Sequence, residues 1–128
     1  MKKYALTEET IRFDGHILHR IQALKDFSNV KKGDLGGFVE REHNLSQEGD
    51  CWIYNDGKVY ESGSVNNNAI VKDNAQVYYY ASVWDNGIIS GCAQICGLAV
   101  VKDYAEIGDN TLISSGPHIG GKTFIGNE

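Results

Sequence analysis

Gly63-Ser64-Val65-Asn66-Asn67-Asn68-Ala69-Ile70-Val71-Lys72-Asp73-Asn74-Ala75-Gln76-Val77 repeats a pattern every six residues. A small residue, a variable residue and a β-branched residue are followed by three mostly polar ones. Steps of six in both directions from Val65 reach Ile53, Val59, Val71, Val77, Val83, Ile89, Ile95, Val101, Ile107, Ile113, Ile119 and Ile125. Two residues before each member of this series stand Cys51, Gly57, Gly63, Ala69, Ala75, Ala81, Gly87, Ala93, Ala99, Ala105, Thr111, Pro117 and Thr123, all small or compact. Residues two apart on a strand share a face, so both series point inward. The other four residues of each hexad supply outward positions and a corner. A chain that turns the same way every six residues closes most tightly as a three-sided prism. Thirteen hexads give a little over four coils. With roughly 4.8 Å between coils, such a prism is about 20 Å long.

The first 47 residues are out of register, because further steps back from Ile53 reach Gln47 and Arg41, which cannot fill an apolar file. Ile11-Arg12-Phe13, Asp14-Gly15 and His16-Ile17-Leu18-His19-Arg20-Ile21 read as a hairpin with a type I′ turn. Val30 to Val39 read as turns leading into the first coil. The expected layout is an N-terminal hairpin and loop cap over residues 1–47, protecting the unpaired edge of the first coil. The helix follows over residues 48–128, forming one folded unit with the cap.

The hexads resemble the hexapeptide repeat of left-handed parallel β-helices, over Glu48 to Asn127. The resemblance implies an all-β, single-stranded left-handed winding, whereas parallel crossovers are normally right-handed. Lys31-Lys32-Gly33, Gly36-Gly37-Phe38-Val39 and Asn44 to Tyr54 further resemble the opening segment of the YdcK-like hexapeptide-repeat proteins of bacteria. Those proteins are commonly longer, which suggests a compact version from a phage or prophage.

The chain has 128 residues, enough for one domain, with 15 glycines and a single proline. It contains no apolar run long enough to cross a bilayer. The start, Met1-Lys2-Lys3-Tyr4-Ala5-Leu6-Thr7-Glu8-Glu9, turns acidic where a signal peptide needs an apolar stretch, so a cytoplasmic location is expected, in a host cell if phage-encoded. Three cysteines in a reducing compartment argue against a disulfide framework. Net charge is −5, and residues 48–128 carry four Lys/Arg against ten Asp/Glu. That balance disfavours direct nucleic-acid binding. It suits an acidic inhibitor that blocks a nucleic-acid-binding host protein by filling its basic groove.

Outward residues sort by wall, eighteen apart. One wall presents Trp52, Ile70, Ile88, Glu106 and Phe124; a second Lys58, Gln76, Gln94 and Leu112; the third Ser64, Ser82, Val100 and His118. The stripe Trp52, Ile70, Ile88 and Phe124 is the candidate interface, as a self-association face for a dimer or trimer, unless the cap folds over it. Ile107, Ile113, Ile119 and Ile125 mark the last coil, whose strand edges could stack on a second copy or a partner. Tyr60 and Tyr78 should stack on successive coils, while Tyr79, Tyr80 and Trp84 could anchor a host protein partner. Asn68 with Asn86, and Asp56 with Asn74 and Asn110, read as corner ladders.

Many hexapeptide-repeat proteins are acyltransferases using a catalytic histidine and a CoA-type cofactor. His118 is the one histidine in the helix and a weak candidate base. No inserted loop interrupts the hexads. His16 and His19 lie three apart in a strand and point to opposite faces, so no metal site is expected. Of Cys92 and Cys96, Cys96 should point outward, while Cys51 fills an inward slot. The reading is a non-catalytic binding or assembly protein without a cofactor, with an acyltransferase-like enzyme as an alternative.

Overall fold

The inward series builds three walls. The computed structural model describes residues 1–126. Thirteen two-residue strands, from β4 (Trp52–Ile53) to β16 (Phe124–Ile125), follow one another at six-residue intervals. Each pairs in parallel with the strand eighteen residues away, so Val65 lies beside Val83 and Ile70 beside Ile88. Wall 1 stacks Trp52–Ile53, Ile70–Val71, Ile88–Ile89, Glu106–Ile107 and Phe124–Ile125. Wall 2 stacks Lys58–Val59, Gln76–Val77, Gln94–Ile95 and Leu112–Ile113. Wall 3 stacks Ser64–Val65, Ser82–Val83, Val100–Val101 and His118–Ile119. The result is an all-β parallel solenoid of about 5 turns, consistent with the left-handed winding that the hexads imply.

The winding starts earlier than residue 48. Strand β3 (Leu35–Val39) pairs in parallel with Lys58–Val59, setting Val39 beside Val59, and Leu45 bridges to Val65. These partners are twenty residues apart, not eighteen. Two extra residues between Leu45 and Ile53 hide this first coil from a search in steps of six. Val39 and Leu45 are buried in the same core as Val59 and Val65.

The hairpin is longer than its turn signal suggested. Strands β1 (Tyr4–Phe13) and β2 (His16–Ala23) are antiparallel, and Asp14 and Gly15 have φ of 51° and 83°, as a type I′ turn requires. β2 pairs antiparallel with β3, so the hairpin extends wall 2 beyond the prism.

The corners lie one residue earlier than Asp56, Asn68, Asn74, Asn86 and Asn110. Every sixth residue from Gly49 to Gly121 has positive φ, including Asn55, Asn67, Asp73, Asp85, Gly91, Gly97, Asp103 and Asp109. Asn, Asp and Gly tolerate this left-handed region, and a short polar side chain also bonds locally there. Those side chains tie coil to coil. Asn67 Oδ1 accepts from the Asp85 N–H at 3.0 Å, Asp85 Oδ2 from the Asp103 N–H at 3.1 Å, and Asp103 Oδ2 from the Gly121 N–H at 2.8 Å.

Candidate functional site

Trp52 heads the wall 1 stripe but is not on the surface. It is 1% exposed, with the Phe27 and Tyr4 rings edge-on to it at 5.2 and 6.2 Å. The cap thus covers the first stripe residue and stops there. Ile70 and Ile88, in direct register below it, remain half-buried, and Phe124 is exposed. The two isoleucines floor a shallow cleft of about 310 Å³, completed by Tyr54, Asn55, Lys72 and Asn29 of the cap loop. Glu106 separates this apolar floor from Phe124.

The cap is locked by groups with little sequence signature. The buried Lys3 ammonium donates to the carbonyls of Cys51 and Gly49 at 2.8 and 3.1 Å and sits 5.1 Å from the Phe27 ring centroid. Burial lowers its pKa. Asn44, also buried, accepts from the Arg41 and Glu40 N–H groups and donates to the Gly63 and Glu61 carbonyls. His16 stands between Glu40 and Glu61, at 3.0 and 3.2 Å.

On wall 2, the Tyr60 and Tyr78 rings stack with centroids 5.1 Å apart and planes 7° apart. Their hydroxyls donate to Gln76 at 2.8 Å and Gln94 at 2.7 Å. Cys96 occupies the next place in this file and is buried, whereas Cys92 is exposed. Strand alternation puts residue 96, like Tyr60 and Tyr78, on the outer side of wall 2 as expected, but it is covered there, only 5% exposed. Cys51 is buried in its inward slot.

Tyr79, Tyr80 and Trp84 are all exposed. Tyr79 also has φ of 57°, a costly conformation for a bulky residue, and its N–H donates to Glu61 Oε1 at 3.0 Å. Of the last-coil residues, Ile107 is fully buried beneath Ile125, while Ile113, Ile119 and Ile125 are half-buried. His118 projects from wall 3 and is exposed. Among the described residues, no His, Cys, Asp and Glu gather in a group of three that could hold a metal ion. No described helix is long and apolar enough to cross a membrane.

No family model matches the chain. The chain is similar to a protein of Escherichia coli (strain K12) named "Uncharacterized acetyltransferase YdcK", at 41% identity over 73 residues. The match covers 51% of this chain and 22% of that protein, so the chain spans about a fifth of the relative's length. The match and the solenoid together fit a hexapeptide-repeat protein.

Proposed function

We propose that the chain is a non-catalytic β-helical scaffold that acts by binding, with wall 1 as its assembly face. The observation that carries this reading is the pair Ile70 and Ile88. They lie in direct register at the floor of an open cleft, outside the cover that the cap gives Trp52. Half-exposed aliphatic side chains in one line gain free energy by leaving water, and a flat wall offers them to a second surface. The partner of first choice is another copy of the chain, as a dimer or trimer. Light scattering at rising concentration tests this with wild type and Ile88→Asp. Growth of the wild-type mass that is reduced in a folded Ile88→Asp variant supports it. A wild type that stays monomeric, or a variant that assembles equally, contradicts it.

A second reading, an acyltransferase-like protein with His118 as base, draws on the name of the Escherichia coli relative. A general base needs a group that orients it beside the substrate. Millimolar acetyl-CoA should raise the melting temperature of such a protein, and should leave that of a pure scaffold unchanged.

A further inference from the structure

Wall 3 holds a second apolar surface that its strand residues alone conceal. Ala81 and Val83 point inward with no exposure, so alternation places Tyr80, Ser82 and Trp84 on the outer side. One coil on, buried Ala99 and Val101 likewise place Leu98, Val100 and Lys102 outward. Tyr80 is 67% exposed, Leu98 65% and Trp84 42%. The two rows are in register, since Ser82 pairs with Val100.

This is also the acid-free wall. Its outward positions in the four coils built from the hexads are Ser62, Ser64 and Asn66; Tyr80, Ser82 and Trp84; Leu98, Val100 and Lys102; Gly116, His118 and Gly120. Asp85 and Asp103 stand at the neighbouring corner, with their carboxylates bonded to backbone N–H groups of the next coil. Two copies of a protein with net charge −5 repel, and least where neither presents a carboxylate.

We propose that wall 3 pairs with wall 3 of a second copy, across a twofold axis that runs along the strands between the Tyr80 and Leu98 rows. That axis sets Tyr80 against the partner copy's Leu98 position and Ser82 against its Val100 position. It sets Trp84 against the Lys102 position, a cation over an indole face, and Ser64 against the His118 position. The pairing is isologous, so each contact occurs twice. Four coils by about five residues make a wall of roughly 300 Å². A standard interface takes about 800 Å² from each partner, so this dimer is concentration-dependent and not permanent.

The pairing is independent of the wall 1 reading, and its test separates the two. Sedimentation equilibrium is run on wild type, Leu98→Lys, Trp84→Ala and Ile88→Asp, with circular dichroism as the folding control. Leu98→Lys should raise the dissociation constant at least ~10-fold, about 1.4 kcal/mol, and Trp84→Ala should raise it less. Unchanged association in Leu98→Lys overturns the proposal, even if Ile88→Asp dissociates, an outcome that leaves wall 1 standing. The axis is read separately. A nitroxide on Ser64→Cys, in a Cys92→Ser background, is mixed with isotope-labelled wild type. The account expects broadening of the His118 amide of the labelled copy, and its absence overturns the twofold arrangement.

Discussion

His16 Nδ1 lies 3.0 Å from Glu40 Oε2, joining the hairpin tip to the chain just beyond the first coil's opening strand. The hydrogen bond to Glu40 raises the His16 pKa, partial burial opposes that rise, and the charges of Glu40 and Glu61 add to it. A group whose folded pKa is raised stabilises the fold fully below its unfolded value, near 6.5, and loses that contribution as pH rises through the folded value. Stability of the wild type relative to His16→Gln should therefore fall as pH rises from 6 to 9, by denaturant titration. A difference independent of pH would contradict the latch.

Gly37 packs against Gly57 where the first two coils meet. A Cβ on Gly37 would run into the Gly57 carbonyl oxygen and the Ile53 side chain. Backbone cannot yield as a flexible side chain can. Gly37→Ala should lose about 1–3 kcal/mol in urea unfolding, as overpacked sites do.

Asn67 has φ of 58° and accepts the Asp85 N–H. Asn67→Ala removes the bond and leaves a Cβ in the left-handed region, for a combined loss of about 2 kcal/mol. Asn67→Gly removes the bond but relieves the strain, so it should lose less. Chemical denaturation of the two variants checks the order.

Val83 is fully enclosed between coils. Val83→Asp places an unpaired carboxylate there and should leave the chain unfolded at neutral pH, seen as loss of the β signal in circular dichroism.

The prism was legible because its rule is local. Thirteen inward valines and isoleucines at a fixed spacing need only the pleat to be understood. The first coil was hidden by two extra residues before Ile53, although Val39 and Leu45 fill the same files. The corner position was within reach too, since the residues at 49, 55, 67, 73, 85, 91, 97, 103, 109 and 121 are all Gly, Asn or Asp. Glu61, Tyr79 and Ser115 interrupt that series. The cap was less legible. Lys3 reads as a terminal charge until the structure places it over the Gly49 and Cys51 carbonyls, forty-six and forty-eight residues away. The candidate faces were legible only in part. Sorting the residue before each Val/Ile found Ile70 and Ile88, and the aromatic group singled out Tyr80 and Trp84 as anchors, but Leu98, one coil on from Tyr80 on wall 3, went unnoticed.

The side-chain methyl resonances of Ile70 and Ile88 test the binding role of wall 1 most directly. They should shift progressively as protein concentration rises from micromolar to millimolar, while the enclosed Ile89 stays fixed. Methyl positions that hold constant across that range would contradict assembly through this wall.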